Sequence, residues 1–479
     1  MPERAAEMSQ VSDDTREELI AKTAGEWPAA NGGVAPPGDL GRVVGDLPGF
    51  LTAYYRFVAA DDLIAAGPAR LAATAAKHAA LGAGRPQGRA AVSVHPAADT
   101  SLTGAQTVID IVTDDMPYLV DSVTMELNRH GTDILLIVHP VLSVHRDVAG
   151  AAHGTSHTDT GATETDADAV RESWIHVELG HVDDTERLAA DLRRVLDHVR
   201  VAMEDQRRMR SAARDLVEQL ADGGPEEAEA SELLAWLSAG HFTFLGYRVY
   251  DLVGEDKPEL RPAPGTGLGI LRHDADSFAV NPPGGRRGRE RARLLVLAKS
   301  STLSTVYRPS YLDYVAIRRF NQETGEVTGE YRFLGLYTQA AYTESVTRIP
   351  VLRHKVDRVL ETAGVPADGH DGKALIEILE GYPREELFEI SAEQLAPIAM
   401  VVLGLAERKQ VRLFVRPDAY GRYVSCLVYL PRDRYTTQVR LRAQEILRSA
   451  FGGVSVDYSA MVGNSALARL HVVVHAAPG

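Results

Sequence analysis

The sequence predicts an α+β protein made of several domains. Three observations favour this fold class. Residues 107–147 follow a strand, helix, strand pattern, residues 241–338 contain repeated strand-like alternation, and residues 411–476 follow a pattern of two strands, a helix and two strands. A chain of 479 residues is also longer than one hydrophobic core usually supports. We therefore expect about three domains.

The amino-terminal part of the chain is predicted to be a flexible N-terminus, residues 1–38. It contains one plausible helix at 15–26, followed by the proline- and glycine-rich segment WPAANGGVAPPGD. Two helical patterns come next, and Asp61 or Asp62 is the predicted cap of the second, which ends near residue 83.

The most informative stretch of the chain begins after a short predicted strand at 90–95. An apolar run of strand length occupies 108–112, and Asp114, Asp115 and Pro117 follow it directly. Aspartate is a preferred N-cap residue and proline is favoured in the first turn, so this turn predicts the start of a helix.

The predicted helix has apolar residues on one face from Leu119 to Leu127, and Gly131 can end it in a left-handed conformation. A second, longer strand is expected at 134–144. Residues 150–170 are polar and of low complexity, which predicts a flexible surface loop.

A further strand at 173–180 precedes one long amphipathic helical pattern. Asp183 or Asp184 is its predicted cap, and Gly223 is its predicted end. We expect this helix to pack on the first folded domain, residues 39–222, and to extend from it as a connector.

The middle third of the chain, residues 232–364, predicts a mostly antiparallel sheet closed by a helix. The expected strands are HFTFLGYRVYDL, LLVLAKS, STVYR, LDYVAIRRFN and EVTGEYRFLGLYT, with the turn QETG between the last two. The helix TRIPVLRHKVDRVLETAG follows them.

The last predicted domain, residues 371–479, begins with two helices in 372–390 and 391–409. Two strands, a helix and a closing hairpin follow. One apolar face of that helix is formed by positions 439, 443, 446, 447 and 450, and Gly452 ends it. Two strands, a helix and two strands are compatible with a ferredoxin-like sandwich in which the chain begins at a different strand.

Four segments in the same order resemble one protein family. They are DDMPYLVDSVTMELNRHG at 114–131, ESWIHVEL at 172–179, GHFTFLGYR at 240–248 and YLPRDRYTTQVR at 429–440. Together they are similar to the amino-terminal part of the large bacterial NAD-specific glutamate dehydrogenases. The resemblance implies ACT-like (ferredoxin-like) sandwiches at 39–222 and 371–479 that flank a PAS-like antiparallel sheet domain at 232–364.

The composition excludes several classes of function. The chain has no apolar run of roughly 18 to 20 residues and no apolar signal region at its start, so we expect a cytoplasmic protein without a membrane anchor. The net charge of −15 argues against binding to nucleic acid or anionic membranes. The single cysteine, Cys426, is expected to be a reduced, packed thiol.

The charge is unevenly distributed. Residues 411–479 contain nine arginines and four acidic residues, a net charge of +5, against −20 for the rest. This contrast is equally compatible with docking onto an acidic neighbour and with a solvated basic face.

Most motifs of enzyme chemistry are absent from the sequence. The glycines of PGTGLGI at 264–270 lack the strand before and the helix after that a dinucleotide fingerprint requires, and DGKAL at 371–375 is not a P-loop. The arginines of 286–293 suggest a solvated loop rather than a phosphate site. His153 and His157 lie in the polar loop, where solvent contact is expected instead of metal binding. We therefore expect no catalytic residue, no cofactor and no metal in this segment.

Three strand positions leave a choice open. Glu178, His176 and Trp174 share one face of the strand at 173–180, and they can line a pocket or only pack across strands. Cross-strand packing is the favoured interpretation.

One predicted site has a physical rationale, the start of the central helix. Free backbone N–H groups and the helix dipole accept a carboxylate there, while Asp114 or Asp115 can receive an α-ammonium group. This chemistry suits a free amino acid as effector, and ACT domains use it. The alternative is that Asp115 only caps the helix. The candidate effector-binding residues are Asp114, Asp115, Met116, Pro117, Tyr118 and Leu119.

Three functions remain open. The resemblance implies a regulatory and oligomerisation segment of an enzyme that converts L-glutamate, NAD and water to 2-oxoglutarate, ammonium and NADH. NAD would then serve the full-length enzyme only. The expected partners are a second copy of the chain, the carboxy-terminal catalytic region of the same polypeptide and a free amino acid. The alternative is a stand-alone ACT/PAS ligand sensor or adaptor without enzymatic activity, and a purely structural oligomerisation platform is a third possibility.

Overall fold

The computed structural model describes residues 16–27, 44–98, 101–156, 169–254, 259–273, 293–405, 410–418, 421–463 and 465–476. The chain forms two compact units. The first unit consists of Met1–Glu204 together with Ser304–Pro309, and the second consists of Asp205–Leu303 together with Ser310–Gly479. In these described ranges, every helix is too short or too polar to cross a membrane.

The first unit has six helices in its described part. They are α1 at 16–27, α2 at Leu47–Tyr54, α3 at Ala60–Ala66, α4 at Pro68–Gly82, α5 at Leu119–Arg129 and α6 at Thr185–Glu204. The single helix predicted to end near residue 83 is wrong, because Gly67 has φ +78° and Pro68 starts a new helix. Ala59, and neither aspartate, is the N-cap of α3, and Asp61 and Asp62 lie in its first turn.

The sheet of the first unit has six antiparallel strands in the order β1-β2-β6-β4-β5, and β3 pairs with the remaining part of β6. The strands are β1 Ala91–Pro96, β2 Thr107–Asp114, β3 Ile134–Val138, β4 Val141–Arg146, β5 Ala152–Ser156 and β6 Ala169–Leu179. Strand β2 is buried almost throughout, and so is β6 from Glu172 onward. These two strands are therefore covered on both faces.

Two predictions for this sheet need correction. The long strand at 134–144 is two strands interrupted at Pro140, and each pairs with a different part of β6. The flexible loop at 150–170 is wrong for 152–156, which form β5 and pair with β4, while 157–168 lie outside the described residues. The end of α5 agrees with the sequence, because Gly131 has φ +68°.

The long connector helix predicted up to Gly223 is broken at Asp205. This residue has φ −89° and ψ 1°, and its carboxylate accepts hydrogen bonds from the Gly269 N–H at 2.8 Å and the Arg272 guanidinium at 2.9 Å. Those contacts lie within the second unit and fix a non-helical residue, so α6 ends at Glu204 and α7 spans Gln206–Leu220. The predicted cap Asp184 is confirmed, since it accepts from the Arg187 N–H at 2.9 Å.

The second unit contains an antiparallel sheet in the order β10-β11-β12-β7-β8, with β9 paired to β7. Its strands are β7 Phe242–Val253, β8 Glu259–Pro262, β9 Leu268–Gly269, β10 Leu295–Leu303, β11 Tyr311–Phe320 and β12 Val327–Tyr337. The strand predicted at STVYR is wrong. That segment contains bends rather than a strand, and it lies in the first unit as part of Ser304–Pro309.

Helices of the second unit pack against this sheet in one continuous core. They are α7, α8 Pro225–Trp236, α9 Gln339–Thr343, α10 Leu352–Ala363, α11 His370–Glu380, α12 Arg384–Glu389 and α13 Ala392–Leu405. The helix predicted in 372–390 is divided into α11 and α12 by a turn at Gly381–Pro383.

The carboxy-terminal sheet has the order β13-β14-β16-β15 and is antiparallel. Its elements are β13 Arg412–Pro417, β14 Tyr423–Pro431, α14 Thr437–Ala450, β15 Ser455–Met461 and β16 Leu467–His475. The predicted order of strands and helix and the closing hairpin are confirmed. Of the apolar face predicted on α14, Leu447 is buried, whereas Val439 and Ile446 are 41% and 52% exposed.

Candidate functional site

The turn between β2 and α5 leads into the central helix. The sequence predicts that an effector binds there. Strand β2 ends at Asp114, and the N-cap residue of α5 is Tyr118, which has φ +70° and makes no side-chain capping hydrogen bond. The prediction that an aspartate caps this helix is therefore wrong. Both aspartates are held by groups outside the helix.

Asp114 is paired with a buried arginine. Its Oδ1 accepts from Arg85 Nη2 at 2.6 Å, and its Oδ2 accepts from the Gly88 N–H at 3.0 Å. A ligand ammonium group at Asp114 would therefore share this carboxylate with a guanidinium group.

Asp115 is held against strand β6. Its N–H donates to the Arg171 carbonyl at 2.8 Å, and its carboxylate accepts from Ser173 Oγ at 2.7 Å and lies 3.1 Å from Arg171 Nη2. These contacts explain why Asp115 does not reach the first turn of α5. Met116 is half-buried, Pro117 is exposed, and Leu119 belongs to the core at 2% exposure.

The first turn of α5 is in contact with the segment Ser304–Pro309 of the same unit. Ser122 Oγ donates to the Tyr118 carbonyl at 2.5 Å and accepts from the Tyr307 N–H at 3.0 Å. The rings of Tyr118 and Tyr307 lie 4.8 Å apart, and both residues have positive φ values, 70° and 75°. Positive φ is costly for such side chains, so packing must hold both tyrosines in place.

A buried ion network lies next to this turn, and the sequence alone did not reveal it. Glu172 is completely buried and accepts hydrogen bonds from Arg85, from Arg146 Nε at 2.5 Å and Nη2 at 2.8 Å, and from Trp174 Nε1 at 3.1 Å. Trp174 packs so closely on α4 that a Cβ added at Gly82 would lie 2.5 Å from its ring. The only sequence signal was a charged residue at a buried position of the strand ESWIHVEL.

A second polar cluster lies on the same sheet, on the part of β2 and β6 remote from the α5 start. His176 Nδ1 lies 2.7 Å from Asp110 Oδ1, and His95 Nε2 lies 3.3 Å from Asp110 Oδ2. Glu178 accepts hydrogen bonds from the N–H groups of Leu102 and Thr103. Each oxygen of the Asp110 and Glu178 carboxylates thus has at least one hydrogen-bond donor.

The protonation states of this cluster follow from burial and from these contacts. Burial favours the neutral form of His176, but the adjacent carboxylates of Asp110 and Glu178 outweigh it and raise the pKa of His176 to about 9. Burial also opposes ionisation of Asp110, yet its bonds to His176 and His95 hold its pKa well below the usual range. His176 is therefore an imidazolium between two carboxylates at neutral pH.

His78, on α4 next to this cluster, is uncharged, in contrast to His176. Burial lowers its pKa to about 4, so it is neutral at pH 7. Its Nδ1 lies 2.8 Å from the Tyr54 hydroxyl and its Nε2 lies 3.0 Å from the Ile111 carbonyl, which assigns the proton to Nε2.

The open choice for Glu178, His176 and Trp174 is thereby answered residue by residue. Trp174 packs against Phe50 of α2 and His78 of α4, so its ring contacts are with helices and not across strands as predicted. His176 and Glu178 line a small cavity instead.

One group among the described residues has metal-like spacing, namely Glu126, His130 and Asp191. His130 Nε2 lies 3.1 Å from Asp191 Oδ2 and 3.5 Å from Glu126 Oε1. Arg129 pairs with Glu126, and Arg194 lies 2.9 Å from Asp191. These guanidinium groups already balance the two carboxylates, so the group forms an ion-pair network at the α5–α6 contact.

The remaining sequence motifs fall in structural positions. Gly269 ends the short strand β9, and a turn rather than a helix follows it. His153 lies in β5, 3.5 Å from Asp147, whereas His157 and arginines 286–291 lie outside the described residues. Cys426 is buried in β14, and burial raises the pKa of its thiol to about 11.

Comparison with known proteins relates this architecture to one family. Family models match the glutamate dehydrogenase ACT1 domain at residues 50–196, helical motif 1 at 349–408 and the ACT2 domain at 412–479. The chain belongs to the NAD-specific glutamate dehydrogenase family and corresponds to the amino-terminal part of its members. The ACT1 match covers the α5 start and the His176 cluster alike.

Three relatives, each named NAD-specific glutamate dehydrogenase, illustrate the relationship. The Halomonas elongata protein is 38% identical over 77% of this chain and 23% of its own length. The Pseudomonas aeruginosa protein is 34% identical over 78% of this chain and 24% of its own, and the Mycobacterium tuberculosis protein is 33% identical over 83% and 24%. The chain thus spans about a quarter of the length of these relatives.

Proposed function

We propose that this chain is the regulatory and oligomerisation segment of an NAD-dependent glutamate dehydrogenase. The full-length enzyme would convert L-glutamate, NAD and water to 2-oxoglutarate, ammonium and NADH, with its catalytic region outside these 479 residues. The observation that carries the proposal is the set of matched parts, two ACT domains and a helical motif, in a chain about a quarter as long as the relatives.

The geometry of the second unit supports the proposal that this segment does not itself bind NAD. A dinucleotide turn needs a strand that leads directly into a helix through its glycines, because the helix N-terminus receives the pyrophosphate. The glycines of 264–270 lie instead around the two-residue strand β9, which hydrogen-bonds to Gly246 and Tyr247 of β7. A Cβ added at Gly269 would lie 2.1 Å from the Leu245 carbonyl oxygen, so close packing accounts for this glycine.

We expect the purified chain to show no glutamate-dependent reduction of NAD. The measurement is the absorbance of NADH over time, with a full-length relative as positive control. A steady rate that survives removal of contaminating host enzyme would contradict the proposal. Restored activity on adding a separately expressed carboxy-terminal region would support it, since the two parts would then form one enzyme.

We further propose that the first unit binds a free amino acid at the start of α5, residues Asp114–Leu119. No side chain in the described ranges caps this helix, so the N–H groups of its first turn and the helix dipole favour an α-carboxylate. The carboxylate of Asp114 is the nearest acceptor for the α-ammonium group, and it would share that charge with Arg85.

Binding at this turn should require both charged groups of the ligand. We expect one or more amino acids to raise the thermal unfolding temperature of the first unit at millimolar concentration, and their decarboxylated amines to have no effect. Asp114→Ala should abolish the shift, whereas Asp121→Ala, an exposed carboxylate in the first turn of α5, is the matched control. If no amino acid shifts the transition, or if Asp114→Ala binds as tightly as the unaltered chain, the turn is only a helix start.

A further inference from the structure

We infer that the cavity lined by His176 is a binding site for the carboxylate group of a small organic acid. The site lies in the first unit, between α4, the β1–β2 pair and β6. It is separate from the α5 start and does not depend on the effector proposal.

The first observation is an unused donor. His176 is 3% exposed, and its Nδ1–H donates to Asp110 at 2.7 Å. Among the described residues its Nε2 has no hydrogen-bond partner, and it forms an ion pair with Glu178 Oε1 at 3.5 Å. Glu178 therefore compensates the charge of the imidazolium without closing a hydrogen bond to Nε2, so an oxygen atom supplied from outside would complete that bond.

The second observation is the space in front of that donor. The cavity has a volume of about 10 Å³, which is room for one oxygen atom. It is lined by Thr74, Lys77, His95, Ala98, Ser101, Val108, Asp110, His176 and Glu178. One oxygen of a ligand can therefore reach His176, while the rest of the ligand stays near exposed Lys77 and half-exposed His95.

The hydrogen-bond donors around the cavity favour a ligand that supplies acceptor oxygens. Asp110 and Glu178 are ionised, but their oxygens already accept hydrogen bonds from His176, His95, Leu102 and Thr103. The polar groups that remain are donors, namely the imidazolium of His176, the ammonium group of Lys77 and the hydroxyls of Thr74 and Ser101. The hydrogen bond from His95 to Asp110 raises the pKa of His95, which favours its protonated form.

A carboxylate matches these features better than the alternatives. A carboxylate can insert one oxygen from a narrow planar group, whereas a phosphate or sulfate is tetrahedral and bulkier behind the inserted oxygen. An amine brings only donors to a site whose unused group is itself a donor. The ligand class is thus a small monocarboxylic or dicarboxylic acid.

The test uses acetate and 2-oxoglutarate as probes on the complete 479-residue chain, at constant ionic strength. Neither probe has an ammonium group, so neither meets the requirement for both charges at the α5 start. We expect both acids to raise the unfolding temperature of the first unit, and chloride and ethylamine to leave it unchanged. In ¹⁵N spectra of histidine-labelled protein, acetate should shift the Nε2 resonance of His176, assigned by its loss in His176→Gln.

Variants at the cavity mouth keep the inference falsifiable without disturbing the core. Lys77→Ala should weaken acetate binding about two- to fivefold, since an exposed ion pair contributes little more. Lys373→Ala, an exposed lysine on α11 of the second unit, should bind as the unaltered chain does. The inference is overturned if chloride produces the same shift as acetate, if the Nε2 resonance of His176 does not move, or if Lys77→Ala and Lys373→Ala bind equally. The cavity would then hold a water molecule only.

Discussion

Replacing Glu172 with alanine is expected to destabilise the first unit by about 3–5 kcal/mol, because it breaks a buried ion pair on one side only. The side chain of Glu172 is completely buried, and Arg85 and Arg146 are 1% and 3% exposed. Without this carboxylate, the hydrogen bonds that Arg146 keeps within the described part of the chain go only to the backbone carbonyls of Gly82 and Gly150. The two cations would then be left in the interior with one carboxylate, Asp114, at the edge of the network.

Urea unfolding followed by tryptophan fluorescence measures this loss, since Trp27 and Trp174 both lie in the first unit. Glu172→Gln separates charge from shape, because the amide preserves the volume and can still accept hydrogen bonds; an intermediate loss is expected. Glu18→Ala, which removes an exposed carboxylate paired with Lys22, is the matched control and should leave the midpoint unchanged. A Glu172→Ala protein as stable as this control would show that the network adds nothing to stability.

The stability of the first unit is expected to fall by about 3 kcal/mol between pH 6.5 and pH 9 through His176 alone. The pKa of His176 is raised from 6.5 to about 9 in the folded chain by its two carboxylates. A raised pKa means that the folded state holds the proton more tightly than the unfolded state. The stabilisation is therefore fully present below pH 6.5 and is lost as the pH rises through about 9.

Free energies of unfolding measured across this range, in buffers free of organic acids, test the prediction. His176→Gln has no titrating group at this position, so its stability should change less with pH, and the two curves should converge above pH 9. His130→Gln is a suitable control because His130 is also a histidine paired with a carboxylate, Asp191, but lies nearer the surface. Parallel curves for the unaltered chain and His176→Gln would exclude the buried imidazolium.

Periodicity predicted the fold class and most elements because burial on one face leaves a regular pattern in the sequence. Strand β16 shows this, since its buried and partly exposed residues alternate from Ala468 to His475. The errors occur where a tertiary contact decides the backbone. Asp205 interrupts a pattern that is helical by spacing, and it does so because Gly269 and Arg272 bind its carboxylate.

The candidate site shows the same limit more clearly. Aspartate before an apolar helical run predicts an N-cap, but long-range partners compete for the same oxygens. Arg85 lies 29 residues from Asp114 and Ser173 lies 58 residues from Asp115, and neither pairing leaves a local signal. The His176 cluster was visible as polar residues on one strand face, yet its cavity depends on Thr74, Lys77 and Ser101 from other parts of the chain.

The discontinuity of the first unit has a consequence for the order in which the protein folds during synthesis. Tyr307 donates its N–H to Ser122, His198 Nδ1 lies 2.7 Å from Thr305 Oγ1, and Val306 is buried. A ribosome releases Ser304–Pro309 about a hundred residues after Glu204. The nascent first unit therefore cannot complete its packing until that segment emerges, and until then Ser122 of α5 lacks its bond from the Tyr307 N–H.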